Sequence, residues 1–271
     1  VSFLCLKRDI PEGEHVPFSQ FGEEVVVKKE KGIIIVAQNR CKHRGMKVID
    51  KCGKGTVYCF HHGQRFQFEQ IVKHYEFGEF IFLPGFQSNS KIFEQLSEDI
   101  GEQFDEIKME IKTPFYLWIQ RQLDATHIKE MIDDGKVENE NIGEFESSYD
   151  IKLSDKLIEQ FKTDNHLLTQ YMGFPNLAVT KVSDVYYIVH HVKPTKDGSM
   201  LYMRYFANKN SKLSKDMQSK ILSDLGKIES KDKSIVEHWA TTYKWPSDQA
   251  WLPGERAIMM YEKEIHTREL A

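Results

Sequence analysis

The sequence predicts an α+β protein, with a small antiparallel β domain over residues 1–90 and a mixed α+β domain over 91–271. Three observations predict it. β-Branched and aromatic runs, separated by turn-rich segments, crowd the first 90 residues. Strand and helix periods mix over the remainder, with the long helices near the end. A chain of 271 residues also suffices for two modest cores.

In the first domain, strands are expected at Glu24–Lys28, Gly32–Ala37, Thr56–Phe60 and Phe77–Leu83, with Lys51–Gly55 as a turn. Pro84–Ser90 has the composition of a linker, and a short helix begins at Lys91. In the second domain, strands are expected at Glu106–Gln120, Tyr149–Leu153, Val185–Val192 and Met200–Ala207. Ser214–Leu225 reads as a helix with Met217, Ile221, Leu222 and Leu225 on one face and Gly226 as its C-terminal cap. Asp232–Thr241 and Glu255–Glu269 read as two further helices. Such a mixture suggests a sheet wrapping helices around a pocket, with Tyr186, Tyr187, Tyr202, Tyr205 and Phe206 available to line it.

Hydrophobic residues at 40% and charged residues at 29% place the chain among soluble globular proteins. Acidic residues outnumber basic ones by 41 to 37, which argues against a nucleic-acid partner, since such binders depend on excess Lys and Arg. Apolar runs such as Ile33–Ala37 are too short to span a bilayer, and Val1–Asp9 lacks the order of a signal peptide. The four cysteines, Cys5, Cys41, Cys52 and Cys59, all fall in the first quarter of the chain. A disulfide framework would spread its bridges along the length, so the expected home is a reducing cytoplasm.

Two of these cysteines come with histidines. Cys41-x-His43 is followed, fifteen residues later, by Cys59-x-x-His62. Two thiolates and two imidazoles on two loops suit either a tetrahedral zinc or a [2Fe-2S] cluster with one His-ligated iron. Zinc-finger histidines usually pair on one helix. Here each loop offers one sulfur and one nitrogen, so each can serve both irons of a cluster. Gly45 and Gly63 follow the two pairs, where backbone must approach a cluster closely.

Cys41-x-His43-Arg44-Gly45 and Cys59-x-x-His62-Gly63 resemble the signature of Rieske non-heme iron oxygenases of the terminal-oxygenase α-subunit type. The resemblance implies that Cys41, His43, Cys59 and His62 hold a [2Fe-2S] cluster, and that a helix-grip-like catalytic domain follows. The Rieske proteins of respiratory complexes carry a second cysteine pair, which this chain lacks, as Cys52 has no partner after Cys59. A tryptophan usual after the second glycine is Gln64 here, while Phe66 keeps the following aromatic.

The segment Leu117–His127 resembles the oxygenase stretch in which an Asp precedes the first histidine of a mononuclear iron site by three residues. The resemblance implies that Asp124 links the cluster of one subunit to the iron of its neighbour, by hydrogen-bonding the free nitrogens of ligating histidines. His127 would be the first ligand of a non-heme Fe(II). At helical spacing, Asp124 and His127 share a face with Ile128 and Met131. The plainer alternative is a cap or surface Asp beside an unrelated His. Asp232, on a face with Ile235, Val236 and Trp239, resembles the iron's carboxylate ligand, and its plainer reading is a helix cap. Gly173–Leu177 and Val189–Pro194 lie between them in the family's order.

One departure stands against these matches. The family's second histidine is expected about five residues after the first, and position 132 is Ile132, which has no donor atom. Glu130 lies about 60° around a helix from His127, so both can face one metal. Asp133, Asp134, His166, His190, His191 and His238 are further donors, although adjacent strand residues such as His190 and His191 point to opposite faces. The resemblance implies a homotrimeric oxygenase, reduced by a ferredoxin or flavin reductase, that uses O₂ to hydroxylate or demethylate a small organic substrate. The alternative left open by Ile132 is an electron carrier or redox-responsive ligand-binding protein that has lost the mononuclear iron.

Overall fold

The computed structural model describes residues 2–84, 91–124, 137–142, 147–152, 167–242 and 256–268. The chain divides into two compact units, Val1–Phe86 with Ser90–Ser97, and Gln87–Asn89 with Glu98–Ala271.

The first unit is built on strands β1 (Ser2–Leu6), β2 (Glu14–Gln20), β3 (Glu23–Glu30), β4 (Ile33–Gln38), β5 (Gly53–Lys54), β6 (Tyr75–Phe77) and β7 (Phe80–Leu83). They form two antiparallel sheets in the orders β1-β7-β6 and β4-β3-β2-β5. Alternation along β3 sets the layers. Val25 and Val27 join Leu4, Cys5, Ile34, Val36 and Ile81 in the main core, while Val26 meets Ala37 and Ile49 on the opposite side. The single strand expected over Phe77–Leu83 is instead a hairpin. Gly78 turns it at φ +58°, and a Cβ there would lie 2.3 Å from the Ser97 side chain. Helix α1 (Lys91–Asp99) closes the unit by packing Phe93 against Phe80 and Phe82. The strand expected at Thr56–Phe60 is a loop, paired only through a Tyr58–Arg65 bridge, because its backbone hydrogen bonds are spent within the loop itself.

The second unit comprises β8 (Ile100–Ile111), α2 (Phe115–Leu123), β9 (Val137–Ile142), β10 (Ser147–Lys152), β11 (Leu167–Gly173), β12 (Leu177–Val182), β13 (Tyr186–Thr195), β14 (Gly198–Asn208), α3 (Lys215–Thr242) and α4 (Arg256–Thr267). Its strands make one antiparallel seven-stranded sheet in the order β8-β14-β13-β12-β11-β10-β9. Alternation sends Tyr186, Ile188 and His190 of β13 to the face covered by the helices and Tyr187 and His191 to the other. The fold is thus α+β, a small antiparallel β unit followed by a sheet-and-helix unit. Among the described residues, no helix is long and apolar enough to cross a membrane.

Two differences from the sequence expectation bear on function. Glu106–Gln120 is not one strand: β8 ends at Ile111, and Pro114 precedes α2. Leu117–Leu123 are all buried, so α2 has no polar stripe from which a helical period could be read. The two helices expected around Gly226 are one helix of 28 residues, and Gly226 lies inside it rather than capping it. An interior glycine costs about 1 kcal/mol against alanine, which burial of the apolar Ile221 and Val236 along the same helix offsets.

Glu229 fastens α3 to the sheet by accepting a hydrogen bond from the Tyr205 hydroxyl, and both residues are buried. Burial pushes the Glu229 carboxyl up to about 7. Its proton is therefore held more tightly folded than unfolded, so this contribution to stability is full below about pH 4.5 and is lost as pH rises through about 7. Relative to Glu229→Gln, which is neutral throughout, the wild-type melting temperature should fall between pH 5 and 8. A gap between the two that stays constant in thermal melts across that range would overturn this reading.

Candidate metal centre

Cys41 and Cys59 occupy two loops that repeat one another. In the first, the Cys41 N–H donates to the Met46 carbonyl at 2.7 Å and the Gly45 N–H to the Cys41 carbonyl at 2.8 Å. In the second, the Cys59 N–H donates to Gln64 at 2.8 Å and the Gly63 N–H to Cys59 at 2.9 Å. Each loop is closed at its base by one antiparallel bridge, Arg40–Lys47 and Tyr58–Arg65. Gly45 and Gly63, at φ +67° and +64°, hold the left-handed residue that each tight loop needs. Offsets from cysteine to glycine are equal, while His43 sits two and His62 three residues after its cysteine.

The loops bring the four residues together. Cys41 Sγ lies 3.2 Å from His62 Nε2, and the ligand atoms of Cys41, Cys59 and His62 all lie within 4.8 Å of one another. His43 joins them, its ring 4.7 Å from that of His62. Both cysteines are free thiols and buried, whereas both histidines are exposed. Two adjacent thiols without a disulfide, facing two imidazoles, are the donor set of a cluster with one sulfur-held and one nitrogen-held iron. Cys5 lies in the core of the first unit and Cys52 is exposed.

The support beneath the loops includes a residue that the sequence did not single out. Asn39 is fully buried two residues before Cys41. Its Nδ2 donates to the Ile49 carbonyl at 2.6 Å, and its Oδ1 accepts from the Ile49 and Val48 N–H groups at 2.9 and 3.3 Å. One amide thereby ties the entry and exit of the first loop. Gln64 replaces the usual tryptophan without loss of the frame, because it acts through its backbone carbonyl. Phe66 packs with Phe68 beside Val26, Ala37 and Ile49.

In the second unit, Asp232 is 7% exposed, lies well inside α3 and so does not cap it. Arg121 of α2 reaches it, with Nε at 3.2 Å and Nη2 at 3.0 Å from the same Oδ1. Asp124 is buried too, with Oδ2 at 3.8 Å from Arg121 Nη1. It stands at the C-terminal end of α2 with a non-helical ψ of 86°. His127, Glu130, Met131, Ile132, Asp133, Asp134 and His166 lie outside the described residues.

Among the other donors, His190 alone of those described stands near Asp232, whose charge acts on it against burial. Burial wins and lowers His190 to about 4, so the ring is neutral at pH 7. Trp118 Nε1 donates to its Nδ1 at 3.5 Å, which leaves the ring proton on Nε2, a buried atom without a partner among the described residues. His191 faces Tyr202 on the other side of the sheet, and His238 is exposed. Of the aromatic residues offered as pocket lining, Tyr205 is committed to Glu229, and Tyr187 to Asp99 and Asn208.

Residues 1–76 match the profile of the Rieske [2Fe-2S] domain family. The terminal oxygenase component CarAa of carbazole 1,9a-dioxygenase from Sphingomonas sp is 31% identical over 67 residues, a stretch covering 24% of this chain and 18% of that protein. Among solved structures, the quaternary ammonium Rieske monooxygenase CntA bound to the inhibitor MMV12 superposes with a TM-score of 0.72 at 12% identity, covering 98% of this chain and 88% of that one. Dicamba monooxygenase bound to dicamba gives 0.66 at 12% identity, covering 98% and 95%. At such identities the likeness is one of fold.

Two outcomes test the first centre. His62→Cys should retain iron and sulfide but lower the reduction potential by on the order of 100 mV, because a thiolate adds charge that opposes reduction. An unchanged potential in protein-film voltammetry would remove His62 from the ligand set. Asn39→Ala should cost about 3 kcal/mol in urea unfolding, since it strands buried backbone groups at Val48 and Ile49. A loss under about 0.5 kcal/mol would show that the loop is held otherwise.

Proposed function

We propose that this chain, a Rieske [2Fe-2S] domain followed by a unit with the fold of Rieske oxygenases, is itself a Rieske-type oxygenase. It takes electrons from a ferredoxin or flavin reductase and uses O₂ to hydroxylate or demethylate a small organic substrate. The observation that carries the reading is the convergence of Cys41, Cys59 and His62, with His43 beside them, in a stretch that matches the Rieske domain family. Asp232, buried and held by Arg121, is an iron ligand by the resemblance.

Cys41 and Cys59 would hold the sulfur-bound iron of the cluster, and the exposed His43 and His62 the iron nearer the surface. Asp232 and His127 would hold a non-heme Fe(II), with Glu130 as the nearest further donor in sequence. When bound, that iron supplies open coordination positions for O₂ beside the substrate. Asp124 would serve as the positioning carboxylate between the centres of neighbouring subunits in a homotrimer. CntA is described as an enzyme with inter-subunit electron transfer. The side chains of the helix-covered face add polar handles to an apolar wall: His190 presents a neutral ring whose Nε2 has no partner among the described residues, while the Thr180 hydroxyl donates to the Gln170 amide oxygen at 2.8 Å. The free thiols of all four cysteines suit a reducing cytoplasm.

A second reading, an electron carrier or redox-responsive ligand-binding protein without mononuclear iron, is favoured by the Arg121 guanidinium on Asp232. Anaerobic reconstitution separates the two. At saturating ferrous iron the oxygenase should hold three irons and two acid-labile sulfides per chain, falling to two irons in Asp232→Ala. Two irons in both would end the oxygenase reading and leave the carrier.

A further inference from the structure

Resting on the reading of Asp232 as the iron's carboxylate, we propose that Arg121 is a built-in competitor of the metal. Its guanidinium holds Asp232 in the iron-free chain, and its charge weakens iron binding until it leaves that oxygen.

The geometry is that of a cation seated on the ligand atom. Arg121 is 3% exposed, and two of its nitrogens converge on Asp232 Oδ1, at 3.0 and 3.2 Å. The guanidinium is centred 5.6 Å from the ring of Trp239, one α-helical stretch beyond Asp232 on the same helix. Trp239 thus adds its π face to the carboxylate's charge in fixing the cation. Arginine keeps its proton at any pH a protein survives, so it cannot step aside by neutralising itself. A divalent ion on Asp232 would lie within a few ångströms of this fixed charge, in surroundings too dry to screen the repulsion. While the guanidinium holds Oδ1, it therefore opposes a divalent ion on the same carboxylate.

The same side chain has somewhere to go. Arg121 Nη1 already stands 3.8 Å from Asp124 Oδ2, one turn along the chain. A small rotation trades Asp232 for Asp124 and keeps the guanidinium paired, so release of the ligand oxygen does not require exposing a buried charge. In this scheme Arg121 is a positioning residue for the metal: it stabilises the iron-free unit and weakens its hold on iron.

Ferrous iron binding at the second centre tests this, read by anaerobic equilibrium dialysis on cluster-loaded full-length chain. Arg121→Gln should bind the Asp232-dependent iron at least tenfold more tightly than wild type. Its iron-free form should melt at a lower temperature and recover on adding ferrous iron. Wild type and Arg121→Gln binding that iron equally, with Asp232→Ala abolishing it in both, would overturn the competition and leave the iron site standing. No Asp232-dependent iron in either would overturn both. In the wild-type chain, zinc serves as a diamagnetic probe of the same exchange. Zinc held by Asp232 should shift the Arg121 Nε–H resonance and speed its exchange with water. A resonance unmoved by bound zinc overturns the proposal even if Arg121→Gln does not fold, and so does a wild-type chain that takes up no Asp232-dependent zinc.

Discussion

A buried carboxylate needs a cation or strong hydrogen-bond donors, and in the second unit that requirement organises the packing of three helices. Arg121 answers Asp232 of α3. One residue earlier on α2, Gln120 donates to Glu262 of α4 at 2.9 Å, and three earlier Trp118 reaches His190 of β13. Successive positions of one short buried helix therefore secure the sheet and both long helices through polar contacts, each of which is costly to leave half made. Removing one partner of such a buried charge pair costs about 3–5 kcal/mol, far more than the intact pair contributes over apolar packing. The pair is thus better understood as fixing which arrangement forms than as the source of its stability.

The first unit solves a different problem. Its chemistry needs soft donors held out of water and borderline donors near it, and the two repeated loops do both with the same backbone. Sulfurs point inward, where low dielectric surrounds Cys41 and Cys59 at 6% and 3% exposure. Imidazoles stand at the surface, exposed to solvent. The one-residue difference between the Cys-to-His offsets does not alter the loop, since glycine and the closing hydrogen bonds keep the same offsets in both.

The legible parts of the sequence were those whose signal is local. Cys41, His43, Cys59 and His62 carry their chemistry in side-chain type and spacing, and β-branched or aromatic runs marked β3, β4, β13 and β14. Helix α2 was missed for a physical reason: buried on every side, it shows neither a polar stripe nor a strand alternation, and Pro114 was its clearest boundary. Gly226 misled because a cap and a tolerated interior glycine look alike until it is known what the following turn packs against. Asn39 left only the faint trace of an amide at a strand end before a ligand. The pairing of Arg121 with Asp232 links residues 111 positions apart and has no local trace at all.

The closing hydrogen bonds of the ligand loops run from backbone to backbone, and none of them passes through a metal. Asn39 and the apolar floor of Val26, Ala37 and Ile49 are likewise complete without one. In a zinc finger the ion brings the chain into shape, and metal affinity is folding energy. Here the shape is held independently, so the entropy of ordering the donors is lost when the chain folds rather than when the cofactor arrives. Maturation of this domain becomes capture by a ready-made cup: the polypeptide comes first, the inorganic part second, and a chain that loses its cluster keeps the vessel into which another can be placed.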